Sequence, residues 1–300
     1  MIPRFPAYPQ HAAFIAPARP RHEIWRLVLG LALGFGLWNL LAMVYLEAVN
    51  ALVAPAFPGV MDDLGAGQSV PAMYVLLFSF GVIPLGIGLT VRTLHGRPVA
   101  SLLGPVPLAL AQFRRVGLAV AAVALAIMVL PPWDMGAPLV PNLEPGRWAM
   151  LLPLSLLAVL VQVGAEEVMF RGYLQQQLAA RFRSPLVWMV LPSVLFAVGH
   201  YDPEMAGDNA VMIVIWSGVF GILMADLTAR SGSLGPAIAV HFCNNVLALL
   251  VTSLPDTLSG LALYLTPFGM DDPDALRAWL PADFAQMIVF WLAARLALRR

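Results

Sequence analysis

Residues Leu154 to Gln175 read LSLLAVLVQVGAEEVMFRGYLQ. The hydrocarbon core of a bilayer, about 30 Å thick, needs roughly 20 apolar residues in helical form, and this stretch is long enough to cross it. Near its end it carries Glu166, Glu167 and Arg171. Ionisable groups at that depth cost at least about 2.5–3.5 kcal/mol each on insertion scales, so they persist where they do something. The same stretch is therefore read both as a span and as part of a site.

The rest of the chain supports the membrane reading. Of 300 residues, 60% are hydrophobic and 11% charged, with a mean hydropathy of +0.81. Soluble domains carry about 25% charged residues, so a large water-soluble globule is excluded. Seventeen basic residues, every one of them Arg, balance seventeen acidic ones. That balance argues against nucleic acid as a partner. The one cysteine, Cys243, cannot form a disulfide within the chain.

Apolar runs predict an all-α polytopic membrane protein with about eight transmembrane helices. They are placed at Ile24 to Val49, Ala72 to Val91, Val116 to Trp133, Leu154 to Gln175, Leu186 to His200, Ala210 to Thr228, Leu234 to Leu254 and Phe284 to Leu298. Arginine-rich short loops stay cytoplasmic. Arg19 and Arg21 precede the first span, Arg26 lies at its start, and Arg92, Arg97, Arg114 and Arg115 follow the second. Arg181 and Arg183, Arg230, and Arg295, Arg299 and Arg300 follow the fourth, sixth and eighth. Both termini are therefore expected in the cytoplasm.

Residues 1–23 hold five prolines and no apolar run, the composition of a disordered cytoplasmic tail. Residues 24–300 read as a single membrane domain. Gly30 and Gly34 have the small-xxx-small spacing that lets helices approach closely. Asp202 and Asp226, at span ends, read as solvated. Trp133, Trp148, Trp188 and Trp279, near span boundaries, read as interfacial anchors.

Polar residues at membrane depth gather in three places: the Glu166–Arg171 run, the end of the fifth span at Phe196-Ala-Val-Gly-His200, and His241-Phe-Cys-Asn-Asn245 in the seventh. Glu167 and Arg171 are four apart in the favourable acid-first order, so they share a helix face and can neutralise each other. Glu166 lies about 100° further round. It finds no opposite charge on its own face, and its proton affinity depends on another span, which makes it a candidate general base. His200 and His241 are the candidates to meet it. His241 and Asn245, at i and i+4, point the same way and suit an oxyanion. At about 1.5 Å per residue from the inner boundary, His241, Glu166 and Asn245 lie at roughly 10, 14 and 16 Å, and His200 at roughly 20 Å. Cys243 falls about 200° round the helix from His241 and is read as core.

Glu-Glu-x-x-x-Arg at Glu166–Arg171, Phe-x-x-x-His at Phe196–His200 and His-x-x-x-Asn at His241–Asn245 resemble the three motifs of the CPBP intramembrane proteases. These are relatives of the type II CAAX prenyl endopeptidase and of bacteriocin-processing and immunity proteins. The similarity covers about 154–254, and Gly235-Pro236 entering the seventh span also resembles the family. The resemblance implies that Glu166, with His200, activates the attacking water. It implies that Glu167 and Arg171 order the motif helix, supported by Phe196, and that His241 and Asn245 stabilise the oxyanion.

The expected activity is that of an intramembrane endopeptidase without a cofactor, acting on a membrane-associated peptide or protein in the bilayer. The setting would be a bacterial inner (plasma) membrane. An alternative makes Glu166, His200 and His241 ligands of Zn²⁺, since two His and a carboxylate form a common catalytic zinc set. Two further classes compete. A proton-coupled transporter would show inverted repeats or paired broken helices, which the sequence does not display. A non-catalytic scaffold or immunity protein would carry the motifs without using them.

Overall fold

The structure, a computed structural model, describes residues 8–129, 138–270 and 272–299. Among the described residues, eight apolar helices overlap the eight predicted runs. Six are long and apolar enough to cross a bilayer: α1 (Ile24–Leu52), α2 (Val70–Thr93), α3 (Val106–Val129), α4 (Pro145–Arg181), α6 and α8 (Pro273–Leu298). Here α6 denotes Ala210–Ser231. Two are shorter, α5 (Leu186–Val198) and α7 (Gly235–Val251). The protein is an all-α polytopic membrane protein. The expected anchor Trp133 lies outside the described residues, as do Arg300 and the first seven residues of the expected tail.

Several helices run past the apolar windows, because backbone hydrogen bonding continues into the polar flanks. α3 starts at Val106, ten residues before the expected boundary, so Arg114 and Arg115 sit within it. α4 begins at a firm N-cap, where the Glu144 carboxylate accepts from the backbone N–H of Gly146 and Arg147 and Pro145 occupies the first turn.

α1 has a narrow contact stripe. Leu27, Gly30, Gly34 and Val49 are its buried residues, while Trp25, Val28, Phe35 and Met43 are exposed apolar side chains of the kind a bilayer covers. The glycine pair does what its spacing predicts. A Cβ on Gly30 would lie 2.0 Å from the Tyr173 hydroxyl and 3.1 Å from Thr90, and one on Gly34 would lie 3.1 Å from Ile87. α7 is the central helix, in contact with α3, α4, α6 and α8. Its entry depends on Gly235, where a Cβ would lie 2.1 Å from the Ala109 carbonyl oxygen on α3. A small sheet closes one end: β1 (Val140–Pro141) pairs antiparallel with β3 (Tyr264–Leu265), and β2 (Thr252–Ser253) pairs parallel with β3.

The N-terminal segment differs from expectation. From Tyr8 to His22 it is packed, with a short helix at His11–Phe14 and a 3₁₀ turn at Ala16–Arg21. His11, Phe14, Ile15 and Ala18 are buried. Gln176 of α4 donates to the Phe14 carbonyl, and a ring nitrogen of His95 bonds the Arg21 carbonyl. Proline content gave the wrong impression because Pro17 and Pro20 fit a 3₁₀ turn, and Phe14 and Ile15 are enough to anchor a segment against an existing core. Trp188 is likewise buried and not interfacial. It meets Tyr8 edge-on at 5.8 Å and His11 at 4.5 Å.

Candidate functional site

The site forms where α4 crosses α7. Beyond Glu167, α4 widens into π-helical winding from Val168 to Gln175, a form that often marks functional positions. Arg171 still reaches back, its Nη1 donating to Glu167 Oε1 at 2.9 Å. Its Nη2 donates to the Gly221 carbonyl on α6 at 3.2 Å. The guanidinium also lies over the Phe196 ring, 4.9 Å from its centroid. Both partners of the ion pair are fully buried, at 1% and 0% exposure. Gly221 lets α6 approach α5 closely, since a Cβ there would lie 2.9 Å from Ser193 of α5.

His241 joins the two glutamates. Its Nδ1 lies 2.9 Å from Glu167 Oε1, and because a carboxylate only accepts, Nδ1 carries the proton of that bond. Its Nε2 faces Glu166, 3.5 Å from Oε2. That separation is too long for a well-directed hydrogen bond. Glu166 Oε2 and Glu167 Oε2 are both buried without a hydrogen-bond partner among the described residues. The imidazole is boxed by Phe220, 4.9 Å away and edge-on, and by Phe196 at 6.3 Å. The site is a chain of Glu166, His241, Glu167 and Arg171 in an apolar setting, with acceptor capacity unfilled on each carboxylate.

The sequence reading placed His200 and His241 as the groups to meet Glu166. The structure puts His241 there. His200 lies just past the end of α5, exposed, its Nδ1 2.8 Å from the Phe196 carbonyl oxygen. A carbonyl only accepts, so Nδ1 holds the proton and Nε2 is left with its lone pair open. The His200 ring packs on Phe196 at 4.4 Å, so the Phe196 ring touches both imidazoles. Phe196 is thus more central than a spacing residue would be.

Asn245, one turn beyond His241, bonds elsewhere. Its Nδ2 donates to Gln162 Oε1 at 2.9 Å, and its Oδ1 accepts from Asn244 Nδ2 at 3.2 Å. Gln162 was not read as a site residue. The signal was available, since it precedes Glu166 by four residues and is an amide within an otherwise apolar run. Cys243 faces α3, its sulfur 3.8 Å from the Gly117 carbonyl oxygen, as its helical angle predicts. The zinc alternative needs Glu166, His200 and His241 together. Among the described residues no three His, Cys, Asp or Glu side chains are gathered to hold a metal ion, and the contacts of His200 run to Phe196. Glu166, His200 and His241 do not fit a shared ion in this arrangement.

Comparison with known proteins agrees with the motifs. Residues 148–247 match the family model described as Type II CAAX prenyl endopeptidase Rce1-like. This segment is thus similar to that family, which is one of proteases. The chain is also similar to the Bacillus subtilis (strain 168) protein described as Uncharacterized protein YyaK. The two are 26% identical over 271 residues, which is 85% of this chain and 87% of that one. No solved structure matches.

Proposed function

We propose that the protein is an intramembrane endopeptidase that hydrolyses a peptide bond of a membrane-associated substrate by attack of an activated water, without a metal. The observation that carries this reading is the pair of acceptors facing one another, Glu166 Oε2 and His241 Nε2, 3.5 Å apart in a buried site and backed by Glu167 and Arg171. Two unfilled acceptors at that separation are suited to share the hydrogens of one water. As the water oxygen bonds the carbonyl carbon, its proton passes to Glu166, and from there to the departing amine.

The oxyanion formed in that step takes a donor from Asn245. His241, expected to be its companion donor, spends its N–H on Glu167 and in this reading holds the water instead. The open Nε2 of His200 serves as a second acceptor from the rim of the site. Arg171 holds Glu167, Glu167 holds Nδ1 of His241, and so the direction in which Nε2 faces is fixed.

The arginine-rich loops support cytoplasmic termini, and the Bacillus relative supports a bacterial plasma membrane as the setting. No nucleic acid is involved in this reading. The substrate is a membrane-associated peptide or protein.

The test is to digest a membrane proteome with and without the reconstituted protein and to map new peptide termini. Neither a transporter nor a scaffold creates termini. Their absence under conditions where the protein is folded and inserted would overturn the reading.

A further inference from the structure

We propose that Gln162 is a positioning residue that sets which end of the Asn245 carboxamide faces the reacting carbonyl. The inference rests on the endopeptidase reading above and deepens it. A carboxamide has two ends of similar shape and opposite function. Turned one way it offers N–H donors to a developing oxyanion, and turned the other way it offers a lone pair that repels it. Shape alone does not decide between them, so the neighbours bonded to each end must.

Gln162 is the neighbour at the amino end. It stands one turn before Glu166 on α4, hence on the same helix face, and it is 7% exposed. Its Oε1 accepts from Asn245 Nδ2 at 2.9 Å. A carbonyl oxygen cannot donate, so the amino end of Asn245 must lie towards α4, the helix that carries the base. Asn244 secures the other end, donating to Asn245 Oδ1. One N–H of Asn245 is used on Gln162. The second has no partner among the described residues and remains for the substrate. A buried amide in an apolar run is costly unless bonded. The Gln162–Asn245 bond answers that cost on both helices while fixing the donor.

A purely structural tie between α4 and α7 would show the same bond, and turnover separates the two. The measurement uses full-length protein in proteoliposomes and a quenched-fluorescent peptide spanning a cleavage point mapped from the new termini. Gln162→Met keeps the side-chain length and removes the acceptor. It should lower kcat about tenfold or more with KM within about twofold, since the lost interaction belongs to the transition state. Asn245→Ala should lower kcat by about 10²- to 10³-fold alone, and the double variant should be no slower than Asn245→Ala. Unchanged kcat in Gln162→Met, or losses that multiply in the double variant, would overturn the proposal.

A swapped pair, Gln162→Asn with Asn245→Gln, keeps the summed length and the amide–amide bond while displacing the donor by a methylene. It should melt like wild type yet stay slow, and full recovery of kcat would show a mere tie. If Glu166→Gln remains fully active, the endopeptidase mechanism fails. If Glu166→Gln is inactive and Gln162→Met turns over normally, the assignment of Gln162 alone fails.

Discussion

Two acid–arginine pairs in this protein share one sequence pattern and do different work. Glu167–Arg171 and Asp226–Arg230 are both four apart with the acid first, and each closes at 2.9 Å. Around Asp226 every acceptor is used. Oδ1 takes the Tyr8 hydroxyl, Oδ2 takes Trp291 Nε1, and both oxygens receive Arg230 Nε. Three separate segments are thereby tied at one point: the N-terminal segment, α6 and α8. Around Glu167 one oxygen carries two donors, from Arg171 and His241, while the other is buried and empty, as is Glu166 Oε2. A saturated carboxylate holds parts together. A buried carboxylate with unfilled capacity is costly as structure, and in the reading proposed above that capacity serves the chemistry.

Breaking the two pairs should therefore give different losses. Arg171→Ala leaves Glu167 buried and uncompensated, at a cost of about 3–5 kcal/mol. Both the thermal melt and proteolysis should fall, and an Arg171→Ala protein melting like wild type would show that the pair is solvated. Asn245→Ala tests the amide side of the site. Turnover should drop about 10²- to 10³-fold, equivalent to about 2.7–4 kcal/mol of barrier, with KM nearly unchanged. Strong chelators should leave wild-type turnover intact, whereas stoichiometric zinc lost together with activity would restore the metal alternative.

Asp226→Asn keeps the shape of the second pair and removes its charge, which should cost about 1.5–3 kcal/mol of stability. Cleavage per folded molecule should stay at the wild-type rate. A loss of kcat without a loss of stability would erase the contrast between the pairs.

The smallest effect concerns the N-terminal segment that Asp226 helps to hold. Burial, with Arg19 adding to it, pushes the His11 imidazole down to about 3. The unfolded segment takes up its proton near the usual value of about 6.5. Between those values the undocked state binds more protons. Docking is therefore full above about pH 6.5 and weakens as pH falls, by up to about 1.4 kcal/mol per unit. The hydrogen-exchange protection factors of residues 8–22, corrected for the intrinsic rate at each pH, should fall from about pH 7 to 5 while those around Glu167 do not, in keeping with the local character of such openings. Protection that is flat with pH would contradict the burial of a neutral His11.

The sequence made the membrane class, the positions of eight apolar helices and the Glu167–Arg171 contact legible, because those depend on run length and on spacing along one helix. It showed the Gly30–Gly34 contact for the same reason. It did not show what crosses between helices. Asp226 looked solvated because its partners Tyr8 and Trp291 are 218 and 65 residues away. His200 and His241 could not be ordered about Glu166 from depth alone, since an angle between helices decides which imidazole arrives. The docking of residues 8–22 was hidden by proline content, which limits backbone shape without forbidding burial. Gln162 was missed because a single amide in an apolar run acquires meaning only when Asn245 is seen opposite it.

The central claim is that Glu166 takes the proton of the attacking water. Its most direct measurement is single-turnover cleavage of the mapped peptide bond by wild type and Glu166→Gln in the same proteoliposomes, with folding checked by thermal melt. The amide keeps the shape and loses the base, so the account predicts a folded, inserted protein with no detectable cleavage. Cleavage by Glu166→Gln at the wild-type rate would contradict it.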